Sequence, residues 1–168
     1  MDMDAWWHTV WITLQAEFAD IGDVREVTRI TLRLLIAALL GGVLGFEREQ
    51  KGKAAGVRTH MLVALGAALF VLVPQVSGAQ ADAMSRVVQG VIAGIGFLGA
   101  GTILKGHADE AGQHVKGLTT AAGLWMTAAI GVAAGLGREA TAVLSTVLAL
   151  AVFSLMPKIV RLLEKNPS

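Results

Sequence analysis

The chain has 168 residues, of which 54% are hydrophobic and 16% are charged, whereas soluble domains average about 45–50% apolar and about 25% charged residues. A formal net charge of +1 gives no bulk attraction to nucleic acid, and the absence of cysteine excludes disulfides, thiolate zinc ligands and a thiol nucleophile. The apolar residues lie in long blocks between short charged loops, which is typical of a multi-pass membrane protein.

The N-terminal segment is rich in tryptophan and precedes the apolar blocks. Its large apolar residues recur at helical spacing, at Trp7, Val10, Trp11, Leu14 and Phe18. Because tryptophan favours the headgroup layer, the segment predicts an amphipathic helix lying in the membrane interface. The alternative is an apolar stripe packed against the bundle. We expect residues 1–28 to form this helix and the turn that follows it.

Five apolar blocks come next, each about long enough to cross a hydrocarbon core of ~30 Å. They run over residues 30–46, 57–73, 87–104, 118–136 and 140–157. The first block needs Arg33 to continue the helix and reach back to the interface. Pro74 is expected in the break between the second and third blocks. The sequence thus predicts an all-α, polytopic bundle of five transmembrane helices over 29–160, followed by a short tail, 161–168.

The loop charges predict the orientation, because cytoplasmic loops carry an excess of Lys and Arg. One side holds nine cations and the other five. The nine are Arg48, Lys51, Lys53, Arg58, Lys105, Lys116, Lys158, Arg161 and Lys165, and the five are Arg25, Arg29, Arg33, Arg86 and Arg138. This asymmetry favours a periplasmic N-terminus and a cytoplasmic C-terminus, although the first three arginines of the smaller group oppose it.

The octet GIGFLGAG at residues 94–101 has the G-x-G-x-x-G spacing of a dinucleotide-binding turn. Its context excludes that interpretation, because the preceding VVQGVIA belongs to the same apolar block and no acid lies near Thr119, about 20 residues on. The spacing instead predicts a buried central helix with two smooth faces, one bearing Gly90, Gly94 and Gly101 and the other Gly96 and Gly99.

Two other spans carry small residues at four-residue spacing, which allows the backbones of neighbouring helices to approach closely. The fourth span has Gly123, Thr127, Gly131 and Gly135, and the first has Gly41 and Gly45. Together these stripes predict a compact bundle and self-association as a dimer. On this reasoning Gly96→Leu or Gly99→Leu is expected to disrupt assembly.

Polar residues cluster where the first span ends and the second begins. They are Glu47, Arg48 and Glu49 on one side of the loop and Arg58, Thr59 and His60 on the other. Ordinary flanking charges that anchor helix ends are one interpretation, and the better one for Lys51 and Lys53. For Glu47 and Arg58, an ion pair that clamps the two helices, or a cation path, is equally favoured.

Further polar residues begin the third and fourth spans. Gln89 lies near the start of the third, and Lys116, Thr119 and Thr120 lie at the start of the fourth. Such groups make interhelical or capping hydrogen bonds more often than they bind ions.

Metal binding and catalysis receive little support from the sequence. The loop HADEAGQH offers His107, Asp109, Glu110 and His114, but its spacing matches no strict metal template. No Ser-His-Asp arrangement or phosphate-binding lysine motif is present, so we expect no catalytic residues and no enzyme. We expect no cofactor, apart from Mg²⁺ as a ligand or signal.

Four stretches in this order resemble the MgtC/SapB family of bacterial inner-membrane proteins. They are RLLIAALLGGVLGFERE (33–49), AGVRTHMLVALGAALF (55–70), VVQGVIAGIGFLGAGTIL (87–104) and VKGLTTAAGLWMTAAIGVAAGLG (115–137). The resemblance implies a five-span domain linked to survival in low magnesium and in macrophages. It covers the transmembrane domain only, so the sequence corresponds to a short form without the soluble C-terminal domain of many relatives.

The resemblance leaves two functions open. In the first, the chain is a regulatory or interaction protein that contacts an ion-translocating complex, since certain family members are thought to restrain the F-type ATP synthase. In the second, it transports magnesium or another divalent cation through carboxylates such as Glu47 and Glu49. The spans lack mid-membrane acids, which favours the first function. Membrane lipids, a second copy or another membrane complex are the expected partners.

Overall fold

The computed structural model describes residues 3–17, 19, 23–105 and 116–164, and in them all regular structure is α-helical. The six described helices are α1 Met3–Glu17, α2 Val24–Gln50, α3 Val57–Val76, α4 Ala81–Lys105, α5 Leu118–Gly135 and α6 Glu139–Glu164. Five of them, α2 to α6, are long and apolar enough to cross a membrane. The predicted all-α fold with five spans and a preceding helix is therefore confirmed.

The chain divides into two compact units, Met1–Leu32 and Arg33–Ser168. In the first unit, α1 carries an edge-to-face pair formed by Trp6 and Trp7, with ring centroids 4.6 Å apart. Asp23 caps the start of α2, since its carboxylate accepts a hydrogen bond from the backbone N–H of Arg25 at 3.2 Å. The interfacial placement of α1 stays a prediction.

The helices extend beyond the apolar blocks because their polar flanks continue the helical backbone. Pro74 shows this most clearly, since it lies inside α3 rather than in the break predicted from the sequence. The helix continues to Val76 and ends where Gly78 adopts φ +78°. There the N–H of Ala79 donates to the Pro74 carbonyl at 2.9 Å, so the last turn closes in a Schellman motif that glycine permits.

In the second unit, α5 is the helix with the most neighbours, contacting α3, α4 and α6. Two of its glycines, Gly131 and Gly135, lie directly against the backbone of α3. A Cβ atom at Gly131 would overlap the carbonyl oxygen of Ala64, and one at Gly135 would overlap that of Ala68. Glycine is therefore required at both positions, because the two backbones touch.

The α2–α3 interface is built in the same way. A Cβ atom at Gly41 would lie 2.6 Å from the carbonyl oxygen of His60, and one at Gly45 would lie 2.6 Å from the Cα of Val57. The core around these contacts is formed by small and medium apolar side chains, among them Ala37, Leu44, Ala64 and Ile130. Such contacts can hold helices together where lipid removes the usual hydrophobic driving force.

The prediction of α4 as a buried central helix is wrong for the single chain, because α5 takes that position. Along α4, Ile95 and Gly99 are buried, whereas Gly94, Gly96 and Phe97 are exposed. A Cβ at Gly99 would make an ordinary contact with Ala121 at 3.4 Å. For the remaining glycines of the helix, Gly90, Gly94, Gly96 and Gly101, no atom of the described residues lies within 4 Å of such a Cβ.

Arg33 ties four helices at the end of the bundle where α3 and α5 finish. Its Nη1 donates to Gln75 Oε1 at 2.9 Å and to the Gly135 carbonyl at 3.1 Å, and its Nε lies 3.7 Å from Glu139 Oε1. Sequence analysis predicted that Arg33 reaches back to the interface but did not identify these partners. A guanidinium suits the position, because its fixed fork can serve several acceptors at once.

The glycine contacts generate a matched pair of substitutions. Gly131→Ala should destabilise the protein by about 1–3 kcal/mol, because the added methyl overlaps the α3 backbone. Gly96→Ala should be neutral or stabilising by up to ~1 kcal/mol, because its site is open and alanine favours the helix. Unfolding of the purified chain in detergent, followed by circular dichroism, measures both. Equal stability of the two variants would show that α5 and α3 do not touch at Gly131.

Candidate functional site

A tight turn at residues 51–56 brings the end of α2 to the start of α3. Gly52 has φ +62°, and Lys53 N–H donates to the Arg48 carbonyl at 3.0 Å. This glycine ends α2 because an L side chain rarely adopts that conformation. The turn places Glu47, Arg48 and Lys51 at the same end of the bundle as the beginning of α3.

Glu47 lies between two cations of its own helix. Arg48 Nη1 lies 3.3 Å from one of its oxygens, and Lys51 forms an ion pair with the other at i,i+4 spacing. The Glu47 side chain is 13% exposed and that of Arg48 only 4%. The carboxylate thus offsets the cost of burying the guanidinium.

Phe153 of α6 completes this cluster. The Arg48 guanidinium carbon lies 4.2 Å from the centroid of its ring, which is a cation–π contact. Lys51 Nζ donates to the Phe153 backbone carbonyl at 2.8 Å. One aromatic residue therefore joins the end of α2 to the middle of α6.

Glu49 is exposed and caps the next helix. Its Oε2 accepts a hydrogen bond from the Val57 N–H at 2.8 Å. The N-cap residue of α3, Gly56, has no side chain to cap the helix, and a Cβ there would overlap the Glu49 carboxylate. A carboxylate at this position is favoured, because a helix N-terminus carries partial positive charge.

His60 is buried, although the sequence places it beside an interfacial loop. It is 1% exposed, and its Nδ1 lies 2.9 Å from the Gly56 carbonyl oxygen. Since that partner is an acceptor, Nδ1 carries the proton. Nε2 has no hydrogen-bond partner within the described part of the chain, and it lies toward Gly123 of α5.

A cleft of about 1760 Å³ opens at this end of the bundle. It is bounded by the turn after α2, the end of α4, the start of α5 and the second half of α6. Its described lining includes five cations, namely Arg48, Lys51, Lys53, Lys116 and Arg161, and four threonines, namely Thr59, Thr102, Thr119 and Thr120. No carboxylate belongs to this lining as far as the chain is described.

The cleft brings together about half of the polar residues selected from the sequence. Arg48, Thr59, Lys116, Thr119 and Thr120 line it. The other four do not line it. Glu47 pairs with Arg48 and Lys51, and Glu49 caps α3. Arg58 lines a second groove, and Gln89 is exposed on α4. Sequence analysis did not select Lys51, His60 or Phe153 as site residues. For Lys51 alone a signal existed, since its i,i+4 spacing from Glu47 favours an ion pair.

The second groove lies between α3 and α4 and has a volume of about 760 Å³. Apolar side chains such as Leu62, Phe70 and Val91 line most of it, and Gly90 and Gly94 form part of its wall. Arg58 is the only charged residue among its described lining. This groove is an apolar surface of the membrane-spanning region rather than a site for polar chemistry.

The arrangement offers little to a metal ion. Among the residues that the structure describes, no group of three or more His, Asp or Glu side chains is close enough to bind one. Glu47 is paired with two cations, and one oxygen of the exposed Glu49 accepts from a backbone N–H. The two carboxylates therefore do not form a pair of oxygen ligands of the kind that Mg²⁺ prefers. His107, Asp109, Glu110 and His114 lie outside the described residues.

Double-mutant cycles test the partners of Glu47. Combining Glu47→Gln with Lys51→Gln should show a coupling of about 0.5–3 kcal/mol, because the two side chains form an ion pair. Combining Glu47→Gln with Arg58→Gln should be additive, because the structure pairs Glu47 with Arg48 and Lys51 and not with Arg58. Free energies of unfolding of the four species in each cycle give the values. Coupling of Glu47 to Arg58 rather than to Lys51 would instead support the ion pair between α2 and α3 that the sequence predicts.

Comparison with known proteins places these features in a family. The profile of the MgtC family matches residues 34–162. Protein SrpB of Synechococcus elongatus is 51% identical over 116 residues, covering 64% of each chain. The putative magnesium transporter YhiD of Escherichia coli K12 is 38% identical over 143 residues, covering 80% of this chain and 64% of YhiD.

Protein MgtC of Brucella abortus is 46% identical over 129 residues, which is 76% of this chain and 51% of that protein. The chain thus spans about half to two-thirds of the length of these relatives. No solved structure matches the chain. The family profile covers the bundle from α2 to α6, including the glycine contacts and the basic cleft, and the chain belongs to the MgtC family.

Proposed function

We propose that the chain is a regulatory protein of the bacterial inner membrane that acts by helix-to-helix contact. Its partner is an ion-translocating complex such as the F-type ATP synthase, and its activity is linked to magnesium limitation. The observation that carries this proposal is the open, small-residue face of α4. Family membership supports the membrane setting, and the contact mechanism rests on the surface described next.

The face of α4 has the composition of a helix-packing surface but no packing partner in the described chain. Among the described residues, no atom lies within 4 Å of a Cβ placed at Gly90 or Gly94, which share one side of the helix. Beside these glycines, Phe97 is 82% exposed. Glycine weakens a helix by about 1 kcal/mol relative to alanine, so several glycines in one helix need a compensating contact. In membranes that contact is usually the backbone of another helix.

The distribution of acids supports contact rather than ion conduction. α3 and α5 contain no Asp or Glu, and the acids of α2, α4 and α6 lie near the helix ends. Ion carriers commonly place acidic residues within the membrane. The carboxylate nearest the bundle interior, Glu47, is neutralised by two cations.

The proposed orientation places the basic cleft in the cytoplasm and the N-terminus in the periplasm. By their place between the predicted spans, nine Lys and Arg residues are assigned to one side of the membrane and five to the other. The positive-inside rule favours this arrangement. Modification of Lys53 by a membrane-impermeant amine reagent in intact spheroplasts would contradict it.

Photocrosslinking tests the α4 contact. A benzoylphenylalanine at Phe97 should form an adduct with a subunit of the ATP synthase in native membranes, because this side chain projects from the open face. The same probe at Leu148, which is 56% exposed on α6, should not form that adduct. Mass spectrometry of the crosslinked band identifies the partner.

Gly94→Leu provides the matched perturbation. The added side chain has space within the chain, so the amount of folded protein should be unchanged. The Phe97 adduct should be lost, because the new side chain separates α4 from the partner's helix. Crosslinks from Phe97 that contain only lipid or a second copy of the chain would overturn the proposed partner. An adduct that persists in Gly94→Leu would show that this face is not the contact.

Magnesium transport is the second candidate, because the relative YhiD is named a putative magnesium transporter. Glu47 is the residue on which this function depends. Proteoliposomes containing the purified chain should then take up Mg²⁺, and Glu47→Gln should reduce uptake, with Asp82→Asn as an acid control at the other end of the bundle. Absence of flux in the parent chain would exclude transport by this chain alone and leave the regulatory function in place.

A further inference from the structure

The basic cleft combines two independent features that suit an anion. The first is the N-terminus of α5, where Gly117, Leu118, Thr119 and Thr120 all line the cleft. The N-cap Gly117 makes no side-chain capping hydrogen bond. The first backbone N–H groups of a helix point out of its end and carry partial positive charge, so they form a natural site for a phosphate group.

The second feature is the buried donor of Arg48. This side chain lines the cleft and is 4% exposed, and its Nε has no hydrogen-bond acceptor in the described part of the chain. Its ion pair with Glu47 is made through Nη1, so the guanidinium has N–H donors beyond that pair. A buried guanidinium N–H without an acceptor costs free energy, and a phosphate oxygen would supply a charge-assisted partner.

The remaining cations come from different parts of the chain and converge on the same opening. Lys53 lies on the turn after α2, Lys116 lies just before α5, and Arg161 lies near the end of α6. No carboxylate lies in the described part of this lining. The described lining therefore favours an anion and opposes a free divalent cation.

The apolar walls of the cleft indicate that the ligand has an apolar part as well as an anionic group. Below the cations lie apolar side chains of the spanning helices, including Phe97, Leu98, Val152 and Met156. A soluble anion would leave this surface uncovered, whereas an amphiphile can place its charged group among the cations and its chain along the wall. Basic pockets between transmembrane helices are known to hold anionic lipid headgroups.

We propose that this cleft binds the phosphate group of an anionic amphiphile, such as an anionic phospholipid. The phosphate lies at the N-terminus of α5 and accepts from Arg48, while Lys53 and Arg161 hold it from the rim. The groups proposed to hold the phosphate lie outside α4, and of the α4 face Phe97 also lines the cleft wall. The proposal does not depend on the regulatory function.

Binding of phosphatidylglycerol to the full chain in detergent micelles tests the proposal. A short-chain phosphatidylglycerol should bind saturably, measured by thermal shift and native mass spectrometry, and the zwitterionic phosphatidylcholine should bind much more weakly. The double variant Lys53→Gln/Arg161→Gln should weaken binding about thirtyfold, on the basis of ~1 kcal/mol for each cation. Both side chains are exposed, so the variant should fold normally.

A matched double variant, Arg138→Gln/Lys158→Gln, removes the same charge from exposed positions that do not line the cleft. It should change the apparent dissociation constant less than twofold. Competition by inorganic phosphate would show that the headgroup alone is recognised, and its failure to compete would show that the acyl chains are needed; both results support the site. Equal weakening by the two double variants, or equal affinity for the two lipids, would overturn it.

Discussion

The contact between the backbones of α5 and α3 is the constraint on which the rest of the structure depends. At Gly131 and Gly135 no side chain separates the two helices, and the carbonyl oxygens of Ala64 and Ala68 occupy the space. This approach fixes α5 between its neighbours, so that α4 and α6 pack on it as well. It also sets Gly123 beside the Phe153 ring, where an added Cβ would lie 3.2 Å from the nearest ring carbon. Arg48 packs on that ring, so the basic cleft depends on the same contact.

The buried threonine hydroxyls of the bundle are satisfied locally, and charge is kept at its two ends. The buried hydroxyls of Thr127 and Thr146 donate to carbonyls one turn back, at 2.8 Å in each case. At one end Arg33 donates to Gln75 near the end of α3 and to the Gly135 carbonyl at the end of α5, and it pairs with Glu139. At the other end Glu47 forms ion pairs with Arg48 and Lys51. The interior thus resembles a packing core, while the ends carry the groups with chemical function.

The number of spans could be predicted from sequence because apolar length is a local property of the chain. The position of Pro74 could not, because a proline in the last turn removes one hydrogen bond without ending the helix. The sequence also could not decide between α4 and α5 as the central helix, since both carry small residues at suitable spacing. That choice depends on which stripe meets Ala64 and Ala68, which is a property of the assembled bundle.

In the polar site too, contacts between residues close in the sequence could be predicted, and contacts between distant residues could not. The ion pair of Glu47 with Lys51 follows from i,i+4 spacing within one helix, whereas the sequence offered Arg58 as an equally reasonable partner across the loop. Phe153 gave no signal, because it lies 102 residues from the lysine that donates to it. The burial of His60 follows from the glycines of α2 and α5, which let the neighbouring helices close over it.

The long separation of these partners has a consequence for biosynthesis. Arg33 and Lys51 lie at opposite ends of the part of α2 that packs in the bundle. Each donates to a carbonyl 102 residues further along the chain, Arg33 to that of Gly135 and Lys51 to that of Phe153. When α2 leaves the ribosome and enters the membrane, neither acceptor has been made. Arg33 therefore lacks its Gly135 acceptor until α5 is made, and Lys51 has only its ion pair with Glu47 and the surrounding water or headgroups until α6 is inserted. The final hairpin of α5 and α6 then acts as the closing step of assembly, and a chain that stops before α6 leaves Arg48 and Lys51 without Phe153.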